Sequence, residues 1–282
     1  MAKTPKVDSK EVGLVAGLNL FHFFLGTRDL HYGLWDEDLE VCIQNLPRAQ
    51  QAYSDYLIGH IPADVNSILD VGCGAGGLAS ELIDKGFRVQ GVSPSPLLSE
   101  AAQKQAGDDF VIHHGRFEEV EIPVSDKFDL VMFSESFQYI DLDEVLGRAQ
   151  SLLRPGGYIL ICDFFKTDAE GKSVIGGGHK LAAFEKRLQQ SGLKTLAEDD
   201  ITRQTAPNLD IVNQMGSELI LPTMKLIGYT FRSNRPWLSK IFTWKFRKKL
   251  DKIDLKYLSG ERNAESFARH KIYKFYLLQK QD

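Results

Sequence analysis

Short apolar runs alternate with amphipathic segments through the middle of the chain, from residue 67 to about residue 196. The runs have the length and residue types of β-strands, and the intervals have the apolar spacing of helices. Five strands are predicted here, at residues 67–71, 88–92, 110–113, 128–133 and 158–164. This alternation predicts an α/β fold with a doubly wound parallel sheet and helices on both of its faces.

The alternation of strands and helices continues with a sixth predicted strand near residues 193–198. It is then interrupted, and a final strand is predicted at residues 271–280. Pro155 and Gly156 end the helix before the fifth strand, because neither residue continues a helix easily. We therefore predict four parts: a helical N-terminal segment (1–60), a core (61–202), a helical insertion (203–269) and the last strand of the core (270–282).

Length and charge narrow the classes of function. The chain has 282 residues, 43% hydrophobic and 26% charged, which is enough for one large domain with a good core. A net charge of -4 gives no basic excess, so we expect no nucleic-acid partner. The 3 cysteines lie far apart without metal-ligand spacing. We therefore expect a reducing, cytoplasmic location and no metal site.

A glycine-rich loop, "DVGCGAGG" at residues 70–77, follows the first predicted strand and opens a helix. Gly72, Gly74 and Gly77 satisfy the G-x-G-x-x-G pattern, which by itself suits a dinucleotide as well as other nucleotide-like cofactors. Asp70 distinguishes a dinucleotide from a cofactor that carries an ammonium group. Its carboxylate at the end of the strand would repel a pyrophosphate and would attract an ammonium group.

Three segments in order, "LDVGCGAG", "FDLVMFSESFQYI" and "LLRPGGYILICDFF", resemble class I S-adenosylmethionine-dependent methyltransferases across about residues 67–164. The resemblance implies a Rossmann-like seven-stranded sheet with a reversed terminal strand, and S-adenosylmethionine as the cofactor. The segment "LHYGLWDED", residues 30–38, is similar to the branch that acts on quinones, terpenoids, sterols or tocopherols. It implies methyl transfer to the oxygen, nitrogen or carbon of a small, hydrophobic or aromatic acceptor.

The resemblance also implies a set of cofactor-binding residues. Ser93 stands where most relatives place an acidic residue for the ribose, so a neutral hydrogen bond worth ~0.5–1.5 kcal/mol would replace a charged one. The alternative is that "SPSP" is only a turn that caps the next helix. Arg116 stands where relatives place an acidic residue near the adenine, and it could equally pair with a neighbouring glutamate. The set is Tyr32, Asp70, Gly72, Cys73, Gly74, Ser93, Pro94, Arg116, Phe117 and Ser134.

Three residues are candidates for catalysis: Tyr139, His31 and Gln138. Tyr139 aligns with a position that is often histidine in this branch, and a tyrosine of ordinary pKa ~10 orients better than it deprotonates. Gln138 would orient the acceptor, and His31 would serve as a base. The alternatives are an apolar floor made by Phe137 and Tyr139, and an aromatic segment around His31 that only packs on the domain.

The insertion carries tryptophans and many lysines and arginines between residues 232 and 258. Such a segment suits a lid over an apolar acceptor or peripheral contact with an anionic membrane, and the lid is the more common arrangement. Three alternatives to methyl transfer stay open: a cyclopropane-fatty-acid-synthase-like transfer to an acyl lipid, an NAD-dependent oxidoreductase, and a non-catalytic cofactor-binding module.

Overall fold

The computed structural model of the chain describes residues 9–123, 127–171, 173–237 and 260–281. Its helices and strands follow the alternation read from the sequence. In chain order they are α1 (Ser9–Leu25), α2 (Leu46–Gly59), β1 (Ser67–Val71), α3 (Gly77–Asp84), β2 (Arg88–Ser93), α4 (Pro96–Ala106), β3 (Val111–His114), β4 (Phe128–Ser134), α5 (Val145–Leu152), β5 (Leu153–Lys166), α6 (Leu181–Gln190), β6 (Leu193–Asp200), α7 (Thr202–Thr205), α8 (Asn208–Gln214), α9 (Leu221–Asn234), α10 (Ala264–His270) and β7 (Lys271–Lys280).

In the part of the chain described, the strands form one 7-stranded sheet with the order β3-β2-β1-β4-β5-β7-β6. Strands β1 to β5 pair in parallel, whereas β7 lies antiparallel between β5 and β6. The predicted doubly wound sheet with a reversed terminal strand is confirmed. The order changes direction at β1 and β4, and open α/β sheets bind ligands beyond the carboxyl ends of the strands at such a point.

The turn at residues 155–157 differs from its prediction. Helix α5 ends at Leu152, and β5 begins directly at Leu153, so Pro155 and Gly156 lie inside the strand. The pairing of β4 with β5 shifts register between Phe128 and Leu130, and Gly156 has a φ of +70°. A glycine in this conformation lets the strand bend without breaking its path.

The sheet separates two apolar cores because successive side chains of a strand point to opposite faces. Ile68 and Leu130 belong to one core, and their neighbours Leu69 and Val131 belong to the other. Both faces are therefore covered by helices. A third, small core around Trp35 joins the segment after α1 to the start of the insertion.

The described insertion is helical, as predicted. A π-helical stretch, Met215–Ile220, connects α8 to α9, and no residue of α9 is buried. Most of the predicted 232–258 segment, residues 238–258, lies outside the described residues. Among the described helices, none is both long enough and apolar enough to cross a membrane.

Candidate active site

The loop after β1 has glycines where the backbone turns left-handed, and Gly72 shows why this residue type is needed. Its φ is +81°, and a Cβ atom there would collide with the side chain of Ser136. Gly76, with a φ of +85°, then caps α3. A ligand can approach the backbone of this loop closely at the start of a helix, where the helix dipole and free N–H groups favour polar ligands.

Asp70 is the charged residue at the floor of this loop. It is 3% exposed. No hydrogen bond or ion pair to its carboxylate is found within residues 9–123, 127–171, 173–237 and 260–281. Burial alone therefore raises the pKa of Asp70 to about 7. A buried carboxylate without a partner is costly, and a cationic ligand group would relieve that cost.

A cleft opens above the carboxyl ends of β1 and β4, and it has two lobes. The first lobe, about 180 Å³, lies beside the glycine loop. The predicted residues that line it are His31, Asp70, Gly72, Cys73, Gly74, Ser134 and Tyr139. The second lobe, about 490 Å³, is lined by Pro94, Arg116 and Phe117, together with Gly72 and Tyr139 again. The structure thus brings most of the predicted site residues together.

His31 lines the first lobe and is held in one orientation. Its Nδ1 lies 2.8 Å from the Tyr32 carbonyl oxygen, and its ring stacks on Tyr53 with centroids 4.7 Å apart. A carbonyl only accepts, so Nδ1 carries the hydrogen, and Nε2 of the neutral ring keeps its lone pair. Nε2 is buried and has no hydrogen-bond partner among the described residues. The nearest carboxylate oxygen, Oδ1 of Asp29, is 3.7 Å away.

Glu135, which its position after the fourth strand predicts on the cofactor side together with Ser134, lines the first lobe. It follows β4 with a φ of +56°, the left-handed region that a non-glycine residue seldom adopts. Its Oε1 accepts hydrogen bonds from the backbone N–H of Tyr32 (2.7 Å) and from the hydroxyl of Tyr273 (2.8 Å). Burial raises the pKa of Glu135, while the positive charge that His31 carries when protonated and the hydrogen bonds from Tyr32 and Tyr273 lower it.

Two buried tyrosines connect the last strand to this site. The Tyr273 hydroxyl on β7 lies 3.0 Å from that of Tyr53 on α2, and the Tyr53 hydroxyl lies 3.2 Å from Ser134 Oγ. Burial raises the pKa of both tyrosines well above the ordinary value. Both tyrosine hydroxyls therefore stay protonated within a hydrogen-bonded network that also includes Ser134 and Glu135. Because the His31 ring stacks on Tyr53, this network also holds the surface against which His31 packs.

Three predicted residues do not line either lobe. The ring of Tyr32 packs against Phe164 and Tyr273 at centroid distances of 6.4 and 6.0 Å. The Gln138 side chain donates to Asp163 Oδ1 at 3.1 Å. Gln138 therefore holds a buried carboxylate, whose pKa burial raises to about 8.

Ser93 is the third. It is 3% exposed, and its Oγ accepts a hydrogen bond from the backbone N–H of Ser95 at 3.3 Å. Ser95 in turn caps α4 by accepting from the backbone N–H of Leu98 at 3.1 Å. These contacts are those of the alternative prediction, a turn that caps a helix. The ribose role of Ser93 stays a prediction, and Pro94 and Ser95 are the residues of this turn that line the second lobe.

Two predicted residues that line the second lobe, Phe117 and Tyr139, differ in exposure. Phe117 is 3% exposed and packs edge-on against Phe133 at 5.5 Å, with the Arg148 guanidinium 5.3 Å from its ring. Tyr139 is 79% exposed and lines both lobes. Desolvation raises the pKa of Tyr139 above its ordinary value. Tyr139 is thus a neutral donor at the point where the two lobes meet.

Comparison with known proteins agrees with this geometry. The family described as a methyltransferase domain matches residues 40–200, more than half of the 282 residues. An uncharacterized methyltransferase of Geobacillus kaustophilus is 29% identical over 54% of this chain and 66% of its own length. Methyltransferase GfsG of Streptomyces halstedii is 26% identical over 75% of this chain and 81% of its own length. The chain thus spans about two thirds or more of these two relatives.

Among solved structures, the fold is similar to that of a geranyl diphosphate C-methyltransferase from Streptomyces coelicolor in complex with Mg²⁺, geranyl diphosphate and S-adenosyl-L-homocysteine. The TM-score is 0.64 at 16% identity, and the match covers 99% of each chain. The chain belongs to the methyltransferase-domain family. The predicted family resemblance, enzyme class and cofactor, S-adenosylmethionine, are confirmed.

Proposed function

We propose that this enzyme transfers the methyl group of S-adenosylmethionine to a small hydrophobic or aromatic acceptor. The observation that carries the proposal is Asp70, a buried carboxylate without a partner in the described chain, beside a glycine loop at the carboxyl edge of the sheet. The ammonium group of the cofactor is the partner that this carboxylate lacks. A pyrophosphate would meet repulsion there, which argues against the NAD-dependent alternative.

The two lobes fit the two halves of this cofactor. In the first lobe, Asp70 would hold the ammonium group, and Arg28 supplies a positive charge at the rim for a carboxylate. In the second lobe, Pro94, Arg116 and Phe117 would hold the adenosine. When bound, the cofactor supplies an electrophilic methyl group on a sulfonium. The protein then has to align the acceptor and exclude water.

His31 is the candidate base for an acceptor that loses a proton. Its ring lines the first lobe, and because Nδ1–H is committed to the Tyr32 carbonyl, Nε2 is the ring nitrogen that keeps a free lone pair. The Asp29 carboxylate would stabilise the imidazolium that forms. Tyr139 would orient the acceptor with its neutral hydroxyl at the junction of the lobes. Gln138, bonded to Asp163, would act on this loop indirectly.

Both the site and the relatives support a hydrophobic or aromatic acceptor. Apolar Leu14 lines both lobes, and α1, which carries it, exposes further large apolar side chains. The geranyl diphosphate enzyme binds an apolar chain, and another set of relatives, including one from Bradyrhizobium, is named for ubiquinone biosynthesis.

Cytoplasmic location and membrane contact through residues 232–258 stay predictions. The cyclopropane-type transfer and the non-catalytic module are outcomes that the following experiment distinguishes.

The experiment supplies S-adenosylmethionine with a radiolabelled methyl group and a panel of lipophilic phenols, isoprenoid alcohols and unsaturated phospholipids. We expect label in a phenol or an isoprenoid and its loss in the His31→Gln variant. The matched control is His60→Gln, which changes a histidine at the C-terminal end of α2 that bonds to its own helix. Label in the acyl chains of phospholipids would favour the cyclopropane alternative. Cofactor binding without label in any acceptor would favour the non-catalytic module and contradict the proposal.

A further inference from the structure

A second cavity, about 640 Å³, lies outside the cofactor cleft, and three segments form its walls. One wall is the end of α1, the second is the turn at residues 42–44, and the third is the π-helical stretch after α8. The small core around Trp35 includes Phe21, Ile43 and Met215 from these same walls, so it forms the floor. The volume lies in the range of small-molecule sites, about 300–1,000 Å³.

The walls are apolar and carry no cation. The apolar lining residues are Leu20, Phe21, Phe24, Leu25, Ile43, Met215 and Leu219. Of the polar ones, Gln214 donates to Glu218 at 3.2 Å, so these two side chains satisfy each other at the rim. A phosphate or carboxylate head group would find no positive partner among the lining residues. A neutral apolar chain is the ligand that this lining suits.

Large side chains at the mouth are exposed to solvent, which is unfavourable unless a ligand covers them. Phe24 is 73% exposed, Leu219 is 61% exposed and Leu20 is 56% exposed. Contiguous apolar exposure of this kind marks ligand grooves and docking surfaces. The π-helical geometry of Met215–Ile220 also indicates a ligand site, since such segments are frequent at functional sites.

The apolar cavity and the cofactor cleft share helix α1 as a wall. Leu14, Phe21 and Leu25 are spaced at 7 and 4 residues, so they share one face of the helix. Leu14 lines the cofactor cleft, whereas Phe21 and Leu25 line the apolar cavity. Arg28, only three residues after Leu25, lines the first lobe again. Three residues of chain span at most about 11 Å, which bounds the separation of these two backbone positions.

We infer that this cavity binds the aliphatic or isoprenoid chain of the methyl acceptor, while the head of the acceptor reaches the first lobe. The inference rests on the proposed function for the identity of the ligand. It places the chain-length specificity of the enzyme in α1 and the π-helical stretch rather than in the sheet. Each methylene that enters the cavity is worth about 0.8 kcal/mol, or about fourfold in affinity.

The test measures binding of 4-alkylphenols with chains of increasing length to the full-length protein by calorimetry, without cofactor. We expect affinity to rise about fourfold per added methylene. Leu219→Glu, in the cavity wall, should weaken binding of 4-heptylphenol at least tenfold. Leu226→Glu is the matched control, because Leu226 is also an exposed leucine, 68% exposed, on the following helix and outside the cavity. It should bind the probe as the unchanged protein does.

Cys42 provides a second readout in the unchanged protein. It is a free, half-buried thiol at the cavity wall, whereas Cys73 and Cys162 are buried. Saturating 4-heptylphenol should slow alkylation of Cys42 by N-ethylmaleimide at least fivefold, and Cys42→Ser should abolish the labelling. Absence of protection would overturn the inference.

The remaining outcomes separate this inference from the proposed function. Equal loss of binding in Leu219→Glu and Leu226→Glu would mean a broad apolar surface for a membrane or a second copy, and it would overturn the cavity as the site. S-adenosylhomocysteine titrated in parallel tests the proposed function alone. If that titration succeeds while Leu219→Glu binds the probe normally, the cavity inference fails and the proposed function stands.

Discussion

Two buried aspartates on neighbouring strands differ in what surrounds their carboxylates. Asp129, at the start of β4, is 1% exposed; it accepts hydrogen bonds from the backbone N–H groups of Asn66 and Ser67 and pairs with Arg154. Asp70, near the end of β1, is 3% exposed and has no partner in the described chain. The carboxylate at the amino ends of the strands has its partners within the protein. The carboxylate at the carboxyl ends has none in the described chain and is available to a ligand.

The first prediction concerns removal of the carboxylate that has partners, Asp129. Asp129→Ala leaves the backbone N–H groups of Asn66 and Ser67 and the Arg154 guanidinium without their partner. We expect a loss of about 3–5 kcal/mol in the free energy of unfolding, measured by urea titration. Cofactor affinity of the folded fraction should be unchanged. A loss below 1 kcal/mol would mean that the amino end does not depend on this carboxylate.

The second prediction concerns catalysis at the ligand end. His31→Gln removes the free lone pair of Nε2 beside the first lobe. We expect kcat to fall about 100- to 1,000-fold for an acceptor that loses a proton, within the range of general-base catalysis. S-adenosylhomocysteine affinity should change less than threefold. Unchanged kcat with normal cofactor binding would remove His31 as the base.

The third prediction changes the unsatisfied carboxylate. Asp70→Asn keeps the shape of the side chain and removes its charge. We expect S-adenosylhomocysteine to bind about 30-fold more weakly, because a charge-assisted hydrogen bond contributes about 1.5–3 kcal/mol. The melting temperature of the cofactor-free protein should stay the same or rise, since a desolvated acid is removed. A lower melting temperature would assign Asp70 a structural role like that of Asp129.

The fourth prediction is the smallest and follows from the pKa of Asp70, about 7 in the folded protein. The ammonium group needs the ionised carboxylate, so affinity for S-adenosylhomocysteine should rise about tenfold from pH 6 to pH 8. The folded state binds more protons than the unfolded state between about pH 4 and pH 7, so this group lowers the stability of the cofactor-free protein as pH rises through that window. In Asp70→Asn the pH dependence of affinity should disappear.

Much of the fold was predictable because buried parallel strands are nearly continuous apolar runs, as in β1 and β4. Asp70 and His31 were predictable for a different reason. Asp70 is a charged residue next to a glycine loop, and His31 lies in a segment similar to a known branch. The sequence carried no signal for the bond between Glu135 and Tyr273, which are 138 residues apart and meet only because β7 inserts into the sheet.

One of the predicted residues that line neither lobe, Tyr32, lies in an irregular segment. Tyr32 follows α1 in a segment without helix or strand, where no periodicity indicates the direction of a ring. Its ring joins the aromatic cluster of Phe164, Phe267 and Tyr273, while its backbone N–H serves the site through Glu135. In such segments the tertiary contacts decide which atoms face the ligand.

A calorimetric comparison of S-adenosylhomocysteine with its deaminated analogue at pH 8 tests whether Asp70 holds the ammonium group of the cofactor. The unchanged protein should prefer the amine by about 30-fold, Asp70→Asn should bind both ligands with similar affinity, and NAD should not bind. Equal binding of the two ligands by the unchanged protein, or a full preference for the amine in Asp70→Asn, would contradict the account.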